Sequence, residues 1–365
     1  MFLYERLIGI ITYVSLMFII CYLIQDDRIN YKIILKIYLI ILSILAFFYI
    51  PPETEDLYRI FIMVNQIKSM DFLSFSHILT ETSYPIALFF YYVIGRIGIY
   101  GLIPGITTFI TFSNIFAILK ICKEKYNINN KQFSLIFIFT MSTGMFGYLV
   151  TNIRALMALS ILARCFVVEF ILEKKIIKNL IYYLVSIFIH PLSIFVLGIR
   201  IVYNLLFEKN TKIVAKLFVI FTLIISFIVF KNYFEFAYNK FLGYFLEGNY
   251  FWIFEFIKIL ILDLFIIISI IKIKKENKLT KFTLVGEKNI ANLISIFIFL
   301  IFVLTEFNIY MRVSYFLGII IIPILCHLIK GNKKINNIII FVSLLLLVVS
   351  CSRGHLSSFK FLLFN

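Results

Sequence analysis

Long apolar runs separated by short polar stretches dominate the chain. A helix that crosses a bilayer needs about 20 mostly apolar residues, and fewer suffice where it packs inside a bundle. Runs of this kind lie near 7–24, 33–50, 84–99, 102–121, 132–150, 153–172, 178–189, 191–207, 213–230, 251–271, 290–305, 312–329 and 335–350. This pattern predicts an all-α, polytopic membrane helical bundle of 11–13 transmembrane segments, some broken or re-entrant. No small-residue cleavage pattern follows the first run, so it is expected to be retained as a helix and not removed as a signal peptide. His190-Pro191 interrupts the apolar stretch 178–207, because proline lacks a backbone donor and pushes its predecessor out of the helical region.

Composition agrees with that pattern. The 365 residues are 62% hydrophobic and only 15% charged. Soluble domains are roughly a quarter charged, so this chain cannot cover a water-facing surface. The formal charge is +16, yet the basic residues punctuate apolar runs and form no stripe on a polar face, so no nucleic-acid partner is expected. Five scattered cysteines and four histidines show no ligand spacing, and neither a metal nor a cofactor is called for.

Charge placement orients the spans. Lys-rich loops at 120–131, 174–178, 209–216, 272–289 and 330–334 all fall on one side if Pro191 divides two crossings, and that side is expected to be cytoplasmic. Residues 51–83 carry Glu53, Glu55, Asp56, Asp71 and Glu81 against Arg59 and Lys68, which suits an extracytoplasmic acidic loop. The parity fails next, because two predicted segments, 84–99 and 102–121, stand where an odd number of crossings is required. Part of 57–105 is therefore expected to be interfacial or re-entrant, aided by Pro85, Gly95, Gly98, Gly101, Pro104 and Gly105. No separate soluble domain is evident, and the whole chain, 1–365, reads as one integral membrane domain.

Ionisable residues at membrane depth are costly and are functional candidates by default. Four clusters qualify: Asp56 with Glu55, Tyr58, Arg59 and Glu81; Asn152 with Arg154; His190; and Glu306, Tyr310 and Arg312. On the predicted orientation all four lie at the extracytoplasmic face, where one site could gather them. Arg200, by contrast, reads as a snorkelling anchor. His190 also has a plainer reading as the cap of a broken helix, and Asp56 as a solvated loop carboxylate. Arginine presents a fixed fork of donors that matches phosphate oxygens, so Arg154 and Arg312 suit a diphosphate. Asp56, Glu81 or His190 could accept the proton of an attacking hydroxyl. This chemistry is that of glycosyl transfer from a lipid diphosphate.

These residues are also where the chain resembles the EpsG family, within the broader group of Wzy-type oligosaccharide repeat-unit polymerases. The matching stretches are Glu55-Asp-Leu-Tyr58, Glu81-Thr-Ser-Tyr84, Asn152-Ile-Arg154-Ala-Leu-Met-Ala158, Ile189-His-Pro-Leu-Ser193 and Arg312-Val-Ser-Tyr315-Phe316, followed by Pro323. Ala155 stands where the family usually has Gln, and Thr82 where it has Pro.

The resemblance implies a polymerase of the bacterial inner membrane that moves a growing glycan from undecaprenyl diphosphate onto a lipid-linked repeat unit. O-antigen, capsule and exopolysaccharide are the product classes. The bilayer, the lipid-linked oligosaccharide, a chain-length regulator and a flippase are the implied partners. Arg154 and Arg312 would hold diphosphate, with Asn152, Tyr58, Glu306 and Tyr315 in support. A flippase for lipid-linked oligosaccharide and an O-antigen ligase are the alternatives. The flippase is disfavoured by the lack of an internal repeat and by charges at span ends instead of the midplane.

Overall fold

The computed structural model describes residues 2–53, 55–174, 176–207, 250–279, 285–303, 307–331 and 333–353. The predicted segment 213–230 and the candidate Glu306 lie outside them. The described elements are helical, with no β-strand among them. They are α1 (Phe2–Gln25), α2 (Tyr31–Phe47), α3 (Asp56–Ile67), α4 (Phe72–Glu81), α5 (Pro85–Ile97), α6 (Leu102–Tyr126), α7 (Asn130–Ser142) and α8 (Met145–Thr151). They continue with α9 (Ile153–Ile171), α10 (Leu180–Ile189), α11 (Leu192–Phe207), α12 (Tyr250–Leu279), α13 (Val285–Val303), α14 (Phe307–Ile320), α15 (Ile322–Gly331) and α16 (Lys333–Arg353).

By length and apolarity, four stretches are able to cross a membrane unaided: Leu7–Gln25, Leu102–Tyr126, Asn130–Thr151 and Lys334–Cys351. The pair α14–α15, bent by 40°, makes a fifth. Other apolar segments of the expected 11–13 fold as shorter helices, among them α5, α10 and α11. The protein is an all-helical, multi-pass membrane protein.

Local signals set the helix ends. The Asn30 side chain accepts the Lys32 N–H at the start of α2, and Asn129 with Gln132 forms a reciprocal capping box at the start of α7. Gly98 ends α5 at φ +81°, a left-handed conformation that only glycine adopts freely.

Contacts between helix ends sort the bundle into a basic end and an opposite end. Lys32 at the start of α2 pairs with Glu124 near the end of α6 at 2.6 Å. The Asn130 amide donates to Asp27 at 2.7 Å, and Tyr126 donates to Glu287 at 2.6 Å. At the other end Gly101 and Gly105, which precede and open α6, abut the backbone at Phe47 and Ser43, where α2 finishes. Helices α2 and α6 are thus antiparallel, and the chain from 48 to 101 begins and ends at the same end of the bundle.

That geometry bears on the span predicted at 84–99, which folds as the short helix α5. Helix α5 lies beside α3, starting with it near Arg154, which meets both Asp56 and Tyr84. The two finish together, where Tyr100 hydrogen-bonds Asn65 at 2.5 Å and Lys68 at 3.0 Å. Helix α4 packs against α5, stacking Phe75 on Tyr92 at 3.9 Å. At about 1.5 Å per residue, the 13 residues of α5 reach about 20 Å, short of the about 30 Å hydrocarbon core. Part of its apolar surface covers α3 and α10, while Ile86, Phe89, Val93 and Ile97 stay exposed. Helices α3, α4 and α5, of 12, 10 and 13 residues, make up most of the stretch 57–105 expected to be interfacial or re-entrant.

The core is aromatic and threaded with buried polar groups. Tyr38 stacks on Phe116 at 6.1 Å, and Tyr13 donates to the Met141 carbonyl at 3.0 Å. Arg200 is not a snorkelling anchor. It is 7% exposed, pairs with Glu169 at 3.3 Å and lies over the Phe170 ring at 4.3 Å. Asn179 donates to the same carboxylate at 3.0 Å, and so does the Tyr183 hydroxyl. This cluster ties α9, α10 and α11 together around Glu169. Removing one partner strands the other charge, so Arg200→Ala should lower stability by about 3 kcal/mol. The double variant Glu169→Leu/Arg200→Leu should recover most of that loss, measured as the thermal unfolding midpoint of the purified protein in detergent.

Candidate functional site

Two breaks within ten residues build the centre of the site. Helix α7 stops at Ser142, Gly144 adopts φ +72°, and α8 restarts at Met145. A Cβ on Gly144 would stand 2.7 Å from Ser350 Oγ and 3.4 Å from Lys258 Nζ, so the position needs glycine both for its backbone and for space. The second break is Asn152, at φ −126° and ψ 54°, whose amide donates to Thr151 Oγ1 at 2.9 Å. After it α9 begins, with Arg154 in its first turn.

A cation in the first turn of a helix opposes the helix dipole and calls for an anion nearby. The resident anion is Asp56, whose Oδ2 lies 3.9 Å from Arg154 Nη2. Asp56 occupies the first turn of α3, where a carboxylate is favoured. Both side chains are partly accessible, at 35% for Asp56 and 20% for Arg154. The Arg154 guanidinium also lies over the Tyr84 ring at 4.4 Å. The preceding residue Glu55 accepts a hydrogen bond from Tyr49 at 2.7 Å.

Arg312 approaches from α14. The Tyr148 hydroxyl on α8 is hydrogen-bonded to Arg312, and the Tyr148 ring stacks on Tyr315 at 4.4 Å and 19°. Arg312 and Tyr315, three residues apart, share a helix face. His190 stands at the break between α10 and α11 in extended conformation, where the charges of both Arg312 and Arg154 act on its imidazole. Both arginines thus lie within electrostatic reach of His190.

His190 also caps α11, since its Nδ1 accepts the Leu192 N–H at 3.1 Å. A neutral imidazole that accepts at Nδ1 carries its proton on Nε2. The free ring position of His190 is therefore a donor and not an acceptor.

The other predicted residues are placed differently. Glu81 sits on the exposed side of α4, where it meets His77 at 3.5 Å with side chains 69% and 76% exposed. It is not brought to the arginines. Tyr58 follows Asp56 by two positions, about 200° round α3 at 100° per residue, and points away from it. Asn152 shapes the break and Tyr315 backs Tyr148, so both support the site from behind. Tyr310 turns to α12, where it donates to Asp263 at 2.7 Å.

Three ionisable residues of α12 escaped the sequence reading. Glu255 is fully buried and Lys258 is 2% exposed. The two pair at 2.5 Å, and Lys258 donates to the Tyr315 hydroxyl at 2.6 Å. Asp263, 4% exposed, accepts from Tyr310 and, at 3.0 Å, from Ser314. Their signal was available, because three charges interrupt the apolar run 251–271 and the cost of charge at membrane depth applies to them as well.

The fold and site define a multi-pass membrane protein whose bundle gathers two arginines, a carboxylate and an imidazole at the end away from its basic loops. The chain matches the EpsG family over residues 90–362 and belongs to that family. It is accordingly a membrane protein of polysaccharide biosynthesis. The match takes in Arg154, His190, Glu255, Lys258 and Arg312, while Asp56 and Glu81 precede it. No curated protein and no solved structure matches the chain.

Gly144 gives a direct test of how the site is built. Gly144→Ala should cost about 1–2 kcal/mol for the left-handed backbone and more for the contact with Ser350. Gly98→Ala meets nothing within 4 Å at φ +81° and should show the backbone cost alone. Thermal unfolding midpoints of the two variants in detergent should therefore differ, with Gly144→Ala the lower.

Proposed function

We infer that this protein polymerises lipid-linked oligosaccharide repeat units at the extracytoplasmic face of a bacterial inner membrane. The observation that carries the reading is the convergence of Arg154 and Arg312 beside Asp56 and His190, on elements far apart in sequence. Two guanidiniums offer forked donors and permanent charge to a diphosphate. Family membership supplies the setting, polysaccharide biosynthesis in a membrane.

In the reaction, the hydroxyl oxygen of the acceptor repeat unit attacks the anomeric carbon of the donor glycan. The bond from that carbon to the diphosphate oxygen breaks, and polyprenyl diphosphate leaves with the electron pair. Asp56 takes the proton of the attacking hydroxyl, as a general base does. Arg154 and Arg312 offset the negative charge that grows on the leaving diphosphate. His190, held by its bond to the Leu192 N–H, directs its Nε2–H at the same oxygens. Arg154 touches both the base and the leaving group, so it also sets the distance between them. No nucleotide sugar enters, because the donor glycan is already activated on its lipid.

Deleting the gene in its host should abolish long surface glycan while single repeat units still reach the lipid core, read as a ladder on a glycan gel. Complete absence of surface repeats would instead identify a flippase or a ligase. Arg154→Ala and Arg312→Ala should each stop chain extension with protein still present in the membrane, and Asp56→Asn should lower it by about 100-fold or more. Full chain length in either arginine variant would remove the diphosphate clamp from the mechanism.

A further inference from the structure

The site as described leaves the buried ions of α12 without a task. Glu255 and Lys258 lie in the apolar interior and are almost wholly enclosed. Bringing two charges there costs several kcal/mol of desolvation each, and a well-packed apolar pair is often no less stable. What an ion pair adds over an apolar pair is direction, because its hydrogen bonds fix the rotamers of the groups that it touches.

The group it touches is Tyr315. The Lys258 ammonium donates to the Tyr315 hydroxyl at 2.6 Å, and that hydroxyl is hydrogen-bonded in turn to Glu255. The three side chains close a small polar ring at the Tyr315 hydroxyl. Tyr315 then stacks flat on Tyr148, and the Tyr148 hydroxyl takes a hydrogen bond from Arg312. Gly144, lacking a Cβ, leaves room for the Lys258 ammonium beside the break that starts α8. A second polar clamp, Asp263 with Tyr310 and Ser314, holds α14 to α12 on the same stretch of helix. A long arginine loses much rotamer freedom when it is held in one geometry, and a fixed hydroxyl at its fork reduces what remains to be lost on binding.

We propose that the Glu255–Lys258–Tyr315 unit is a positioning device for Arg312, acting through the stacked Tyr148, and that it aims the guanidinium at the diphosphate. None of Glu255, Lys258 and Tyr315 touches substrate. The proposal rests on the diphosphate reading of the site given above.

The test is a double-mutant cycle on pyrophosphate binding to the full chain purified in detergent, followed by calorimetry with inorganic pyrophosphate as the probe. Tyr148→Phe and Tyr315→Phe keep the rings and remove only the hydroxyls, and each should weaken binding about tenfold. In an Arg312→Ala background neither should weaken it further, whereas in an Arg154→Ala background each should still cost about tenfold. A loosened fold would not distinguish the two arginines. Equal losses in both backgrounds, or no loss in the wild-type background, would overturn the positioning role. Should Tyr148→Phe fail to fold, Tyr315→Phe and Lys258→Met carry the same cycle. Wild-type protein that does not bind pyrophosphate would overturn both this role and the diphosphate clamp. An intact cycle in a protein that extends no glycan in cells would overturn the polymerase reading alone.

Discussion

A charge enclosed by apolar helices must find an opposite charge, a set of hydrogen bonds or a route to water, and this protein uses all three. Glu169 pairs with Arg200 in the interior and takes further hydrogen bonds from Asn179 and Tyr183. Glu255 and Lys258 do the same beneath the site. Arg154 and Asp56 meet at 3.9 Å, too far for a strong hydrogen bond, and remain partly open. The closed pairs hold helices together, while the open pair stays partly accessible from outside. Desolvation cost separates the two kinds of pair, since an enclosed charge demands full pairing and an accessible one tolerates a loose partner.

The site depends equally on where the helices stop. Gly144 and Asn152 divide what hydropathy presents as continuous apolar chain into α7, α8 and α9, and those divisions bring Tyr148 and Arg154 to the same end of the bundle. Pro191 does the same for His190 by leaving it extended between α10 and α11. A bilayer tolerates such interruptions only where the freed backbone groups find partners in the protein. The Leu192 N–H finds its partner in His190 itself, so one residue repairs the break and faces the cations.

Much of this was legible in the chain before folding was considered. Helical class, membrane residence, the division at Pro191 and the grouping of Arg154, Arg312, His190 and Asp56 followed from hydropathy, from the cost of buried charge and from the distribution of lysine. Other features were not legible. Helix α5 is as apolar as a span, and only the return of Gly101 to Phe47 reveals that the chain from 48 to 101 starts and finishes at one end of the bundle. Arg200 looked like an anchor because one sequence does not say which of two faces of α11 meets Glu169. Glu81 looked like a base because proximity to Tyr84 in sequence does not reveal that α4 turns it outward to His77.

The sequence by itself determined that the chain lives in a membrane, which end carries the basic loops, and which polar residues are too costly to be idle. Those properties depend on composition and one-dimensional spacing, and solvent physics acts on them residue by residue. Only the tertiary structure decided which of those residues face one another, because pairing among α3, α9, α10, α12 and α14 is set by helix rotation and by the angle of each break. It placed Asp56 on Arg154, gave His190 its donor face, and set Glu255 and Lys258 behind Arg312. A rotation of about 100° separates neighbouring positions on a helix, so the same spacing serves a site or a lipid face according to contacts that no single segment contains.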